Sequence, residues 1–205
     1  SSSPQTDVDY VVVVDAIGDP EGIAKGATRF TKNPKELLIA EYAAKVITNS
    51  PYYKQGFSFQ TGTGGASLAV SRFLKEAMIN DKITASFALG GITNAMVELL
   101  EEGLVEKIID VQDFDHPSAI SLGKNANHYE VDAIMYASPL SKGSVINQLD
   151  TAILSALEID TDFNVNVITG SDGISRGASG GHSDTSAACK MSLIILPMIH
   201  GSIPT

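Results

Sequence analysis

The chain has 205 residues, 43% of them hydrophobic and 19% charged, with no Trp; that is enough apolar material for one sizeable core. Its 24 acidic and 14 basic residues give a formal net charge of −10, and no Lys/Arg cluster exists to replace phosphate counterions, which excludes a free nucleic-acid-binding surface. One cysteine, Cys189, excludes an intrachain disulfide and a multi-cysteine metal site and points to a reducing, cytoplasmic compartment. No run of about 18 apolar residues is present to span a membrane. The opening SSSPQTDVDY lacks the basic-then-apolar order of a signal peptide, and residues 1–6 are expected to be flexible.

In chain order, residues 7–17 carry Val8 and Val11 to Val14 and read as a buried strand closed by Gly18-Asp19-Pro20. Residues 31–49 read as a helix, with Asn33 as cap, Pro34 at the first helical position, and Leu37, Ala40, Ala44 and Ile47 on one face. Phe57 and Phe59 mark a strand that runs into Gly62, Gly64 and Gly65. Residues 67–80 follow as an amphipathic helix and 83–89 as a strand ending at a second glycine turn, Gly90-Gly91. A helix over 93–102 stops at Gly103, and 104–111 form the next strand. Residues 112–143 mix turn residues with short apolar pieces and yield no assignment. A helix-like patch over 145–149 leads to β-rich pieces at 153–159 and 163–169, a glycine-rich loop over 170–184, and a strand or buried segment at 189–196. Strands alternating with helices at short spacing argue for an α/β fold with a mostly parallel open sheet and flanking helices. The apolar run 193–196 is followed by Ile203-Pro204-Thr205 with no closing helix, so the chain reads as a fragment.

Two segments carry candidate chemistry. The first turn, QTGTGGAS over 60–67, follows a strand and opens a helix. There, backbone N–H groups can face a phosphate, a thioester oxygen or an amide. It is no Walker loop, since no GK[ST] follows, and it lacks the third glycine and the later acidic residue of a dinucleotide fingerprint. The alternative is a tight βα turn with no ligand. The second segment, GSDGISRGASGGHSD over 170–184, mixes five glycines with Arg176, Ser179, His182, Ser183 and Asp184. Arg can hold a carboxylate by two parallel hydrogen bonds, and His moves protons near neutral pH. The alternative there is a surface loop whose His caps a turn. Asp113-Phe-Asp115-His116 has donor types that suit a metal but no second ligand pair at helical spacing, and reads as a turn. Glu158 and Asp160, two apart in a strand, share a face and serve either structure or a site. No Ser-His-Asp order is evident, and no base can be assigned to Ser67.

The blocks QTGTGGASLAVS (60–71), ITASFALGGIT (83–93), SALEID (155–160), FNVNV (163–167) and GASGGHSDT (177–185) resemble the citrate lyase alpha subunit family. That family belongs to the CoA-transferase superfamily, and the resemblance runs over nearly the whole chain. It implies a CoA-transferase-like α/β domain over residues 1–205, an incomplete second, C-terminal domain of a two-domain subunit. It also implies an activity: the carrier-protein thiol moves from acetate to citrate, giving citryl carrier and acetate. The implied partners are a beta subunit that cleaves the citryl thioester and a gamma subunit, the acyl carrier protein. The latter bears a CoA-derived prosthetic group, so no cofactor is attached to this chain and no metal is called for. A homo-oligomer within a hetero-oligomeric complex is expected, without nucleic acid or membrane.

Related CoA-transferases place a glutamate nucleophile at the end of a strand that here reads ASFALGG (85–91). No glutamate is present there, so no covalent glutamyl intermediate is expected. By resemblance His182 and Ser183 would be catalytic. Gly62, Thr63, Gly64, Gly65, Ala66, Ser67, Gly90, Gly91, Arg176, Gly180, Gly181 and Asp184 would bind substrate or the CoA-like arm. The rival readings are a CoA-transferase or thioesterase acting on free acyl-CoA, and a non-catalytic domain that binds the CoA-like arm or scaffolds the complex. A nicotinamide-dependent oxidoreductase is disfavoured by the defective fingerprint.

Overall fold

A computed structural model describes residues 5–19, 30–200 and 203–204. Six strands form one parallel sheet: β1 (Ser58–Thr61), β2 (Phe87–Ile92), β3 (Ile108–Asp113), β4 (His128–Glu130), β5 (Thr151–Ser155) and β8 (Met191–Ile195). Their spatial order is β4-β3-β2-β1-β5-β8. Between β5 and β8 lies a small antiparallel pair, β6 (Glu158–Ile159) and β7 (Val165–Asn166), and a second such pair, β9 (Ile199–His200) and β10 (Ile203–Pro204), ends the described chain. The helices are α1 (Pro34–Thr48), α2 (Gly65–Asp81), α3 (Asn94–Glu101), α4 (His116–Lys124), α5 (Ala133–Ala137) and α6 (His182–Ala188).

Period-two alternation divides the core between the two faces of the sheet. In β2, Ala88 and Ile92 point to a layer made by α1, α2 and α3, whereas Phe87 and Leu89 point to the opposite side. In β5, Ile153 faces the helices and Ala152 and Leu154 face away, toward Tyr136, Ile146 and Leu149. The helix layer is built on small residues at helical spacing. Ala40, Ala43, Ala44 and Ile47 of α1 meet Ala69, Val70, Leu74 and Met78 of α2, so the two backbones approach closely. Asn33 accepts from the Lys35 N–H and Pro34 opens α1, as the sequence leads one to expect.

Several expectations change. Residues 8–14 form no strand; Val12 and Val13 are 77% and 93% exposed. β-propensity alone does not make a strand without a partner, and among the described residues none pairs with this run. Of residues 1–6, the first four lie outside the described residues, and Gln5–Asp7 form a 3-10 turn. Gly90-Gly91 is not a turn but lies inside β2, which starts later than expected and runs through both glycines. The unassigned stretch 112–143 holds α4, β4 and α5, and Val145–Gln148 is a 3-10 turn. The 170–184 loop ends in a helix, since α6 starts at His182.

Candidate functional site

In an open parallel sheet, ligands bind outside the carboxyl ends of the strands, where the order reverses. Here β2, β3 and β4 follow β1 outward in one direction, and β5 and β8 lie on its other side. The reversal therefore falls between β1 and β5. Gly62 to Ser67 leave the end of β1, and Ser155 ends β5.

These segments are joined by specific bonds. The Gly62 N–H donates to Ile153 O at 2.9 Å. Ser67 Oγ lies 2.8 Å from Ser155 Oγ, and Ser67 is fully buried. Gly64 caps α2 without a side chain, so the N–H groups of Gly65, Ala66 and Ser67 lack partners within the helix and form a positive terminus at the reversal point. His182 reaches the same place from the far loop: its Nε2 lies 2.8 Å from Ser155 O. The structure thus brings the first turn and the Gly180–Ser183 region together across β1 and β5. His182 bonds the Ser155 carbonyl, so Ser67 bonds a second serine and not an imidazole. Ser183 and Asp184 are exposed in the first turn of α6.

Other candidates are placed differently. Arg176 is paired with Asp172, Nη1 to Oδ1 at 2.7 Å and Nη2 to Oδ2 at 2.5 Å. Its guanidinium holds the Asp172 carboxyl well below the usual carboxylate range, and Asp172 in turn raises Arg176. Gly90 adopts φ +109, a conformation open to glycine, and the Gln60 side chain fills the space above it, 2.8 Å from where a Cβ would stand. Gly91 leaves room for the Phe114 ring. Gln60 and Phe114 thus occupy the space beside the two glycines that were expected to bind substrate or the CoA-like arm. Glu158 accepts the Ser171 N–H and Oγ–H at 2.7 and 2.8 Å. Asp160 accepts the N–H groups of Asp162 and Asn164. The Ser171 bonds lower Glu158, and Asp160 is lowered first by the Asn164 side chain, whose Nδ2 donates to Asp160 Oδ2 at 2.8 Å, and then by the backbone N–H groups.

Asp113 ends β3, Asp115 caps α4 and His116 opens it, so the segment expected to be a turn is a strand-to-helix junction. Asp113 instead joins Asp110 and His128, whose ligand-type atoms all lie within 4.8 Å of one another. Asp110 and Asp113 are three apart, an odd spacing for one strand face. An extra residue, Val111, in the register between β2 and β3 shifts the alternation there. His128 Nε2 lies 3.2 Å from Asp110 Oδ2 and its Nδ1 lies 3.0 Å from Ser121 Oγ. Burial, followed by the neighbouring Asp110 carboxyl, raises Asp113 to about 6. This set suits a shared proton or a small cation. Sequence reasoning missed it because the bulge that aligns it leaves no mark in residue spacing. It likewise missed Ser155, Gln60, Tyr136 and Thr185, which lie 19 to 125 residues apart along the chain and are brought to the site only by the fold.

Among the described residues no helix is long and apolar enough to cross a membrane. The family profile described as citrate lyase, alpha subunit, matches residues 1–205. The citrate lyase alpha chain of Haemophilus influenzae is 58% identical over 204 residues, covering 100% of this chain and 41% of that relative. The citrate lyase alpha chain of Escherichia coli is 58% identical over 205 residues, covering 100% of this chain and 40% of its own length. A Streptococcus mutans protein described as an alpha subunit of citrate lyase, solved in complex with citrate, is 81% identical with a TM-score of 0.92, covering 98% of this chain and 40% of its own. The chain thus spans about two fifths of the length of these relatives. With a match along its whole length and this level of identity, the chain belongs to the citrate lyase alpha subunit family.

Proposed function

We propose that this chain forms part of an enzyme that exchanges acetate for citrate on the thioester of an acyl carrier protein. The observation that carries this reading is its 81% identity to the Streptococcus mutans protein solved with citrate. The backbone donors at the head of α2, placed at the β1/β5 reversal, support it. One citrate carboxylate oxygen attacks the acetyl thioester carbon, and the carrier thiolate leaves. The thiolate then attacks the citryl carbonyl of the mixed anhydride, and acetate departs. Atoms and charge balance without an enzyme-bound acyl group, which fits the absence of glutamate from 85–91.

Such chemistry depends on orientation and on donors aimed at developing oxyanions. The N–H groups of Gly65 and Ala66 at the start of α2, with the Gly62-Thr63-Gly64 approach, hold the thioester oxygen or the pantetheine amide. Gly180, Gly181, His182 and Ser183 face the reacting carbonyl or citrate. Arg176, the sole Lys or Arg between Ser155 and Cys189, draws a citrate carboxylate, with Asp172 fixing its plane. The working assembly includes a lyase subunit and the carrier subunit in the cytoplasm, and the CoA-derived arm enters as substrate.

The test uses the full-length subunit with acetylated carrier protein and labelled citrate, the lyase subunit being absent. Label on the carrier with release of acetate is the expected result. An intact fold and a competent carrier without transfer would assign the chain to binding or scaffolding. Transfer to free CoA in place of the carrier would support the acyl-CoA reading.

A further inference from the structure

Two glycine turns from distant parts of the chain must keep a fixed spacing for the site to hold one geometry, and one buried phenol bonds a residue beside each. Tyr136 lies in α5 and is 7% exposed. Its oxygen accepts from Gln60 Nε2 at 2.9 Å and lies 3.0 Å from Thr185 Oγ1. Gln60 stands two residues before Gly62. Thr185 is fully buried in the first turn of α6, and its N–H donates to Gly181 O at 2.9 Å. Gly181 packs directly against the phenol: a Cβ there would stand 2.7 Å from Tyr136 Oη.

Both partners meet at one hydroxyl. The Gln60 amide N–H donates to the phenol oxygen, and the phenol O–H has two acceptors within reach, Thr185 Oγ1 at 3.0 Å and Gln60 Oε1 at 3.2 Å; in the Tyr136–Thr185 pair either hydroxyl can be the donor. Buried tyrosines need a partner for the O–H, and one would suffice. This one binds two side chains from different segments, each beside a different one of the two turns.

We propose that Tyr136 is a positioning residue of the exchange site. Through Gln60 and Thr185 it fixes the register between the Gly62–Ser67 turn and the Gly180–Ser183 turn, and so keeps His182 on the Ser155 carbonyl. This rests on the citrate-exchange reading. Tyr136 touches no reacting atom; it acts through the two turns. A displacement of about 1 Å in such a frame costs up to about a hundredfold in rate.

The experiment compares Tyr136→Phe, Thr185→Val and the double variant of the full-length subunit. It measures exchange kinetics, thermal midpoint, and amide hydrogen exchange by mass spectrometry. Tyr136→Phe is expected to lower kcat about tenfold or more while the KM for acetyl carrier stays within about twofold. The double variant is expected to be no worse than the more damaged single, because both remove one shared chain of bonds. Thr185→Ser, which keeps the hydroxyl, is expected to restore turnover. The His182 and Thr185 amides are expected to exchange faster in Tyr136→Phe, with those of β1 and β5 unchanged.

A kcat within about twofold of the parent, or single effects that multiply in the double variant, overturns the proposal. So does a loss that follows the thermal midpoint and leaves local exchange unchanged. If the parent subunit transfers no label, the exchange reading fails by itself. Hydrogen exchange still decides the register claim in that case: faster exchange at residues 182–185 in Tyr136→Phe supports it, and unchanged exchange overturns it.

Discussion

Asp113 stands with a buried, unpartnered Oδ1 beside Asp110. Its ordinary pKa of 3.8 rises to about 6 in the folded protein. The folded state therefore holds this proton more tightly than the unfolded state. The stabilising contribution is complete below pH about 3.8 and is lost as pH rises through about 6. Asp113→Asn removes the ionisable group, so it should raise stability relative to the parent above pH about 6, with an advantage that shrinks toward pH about 4. Asp113 is part-exposed, so solvent screens the effect to about 1 kcal/mol. Urea unfolding at several pH values checks it, and a difference that stays flat across that range would refute the shift. Arg176 supplies the residue-scale test of substrate recognition. Arg176→Ala is expected to raise the citrate KM about tenfold or more and the acetyl-carrier KM by less than about twofold. Equal effects on both would remove it as the carboxylate clamp.

At the scale of elements, one carboxylate starts two helices. Asp115 Oδ1 accepts the Ser118 N–H at 3.0 Å at the head of α4, and its Oδ2 accepts the Asn94 N–H at 2.8 Å at the head of α3. Asp115→Ala therefore leaves donors unsatisfied at two helix ends. It should cost about 2 kcal/mol, seen as a thermal midpoint lower by roughly 4–8 °C; a change of under about 1 °C would show that solvent replaces the cap. Asp115 also shows what was legible in the sequence. Local signals carried well wherever they were self-contained: Asn33-Pro34 began α1, and Gly103 followed α3 with φ +73. The α/β alternation and the first glycine turn were readable for the same reason. Signals that depend on partners were not. Val11 to Val14 have strand propensity but no neighbouring strand among the described residues, and Gly90-Gly91 have turn composition but sit inside β2 because Gln60 and Phe114 need the space. Of the candidate site, the glycine segments and His182 could be named from sequence, whereas Gln60, Tyr136, Ser155 and Thr185 could not, because only the fold places them.

Across the whole molecule, the two ends of the sheet divide labour. The carboxyl ends of β1 and β5 carry the candidate site, whereas Asp150 ties the amino ends of three strands. Its Oδ2 accepts the Ser58 N–H at 2.9 Å at the start of β1, and its Oδ1 accepts Lys190 Nζ at 2.6 Å just before β8. Asp150 itself leads into β5 and is 6% exposed. Asp150→Ala leaves a buried N–H unpaired and should cost about 3 kcal/mol. Calorimetry checks the loss, and kinetics of the folded fraction should match the parent; a matched drop in kcat would mean that the amino edge also shapes the candidate site. The exposed run Tyr10 to Val14 has a different kind of consequence. Five consecutive β-formers with no lattice of hydrogen bonds around them are a template for cross-strand association between molecules, and Asp9 and Asp15 bracket them like electrostatic guards. Replacing both by Asn is expected to raise light scattering during refolding at neutral pH without moving the thermal midpoint, so that these two aspartates govern how much protein reaches the native state while contributing nothing to its stability once there.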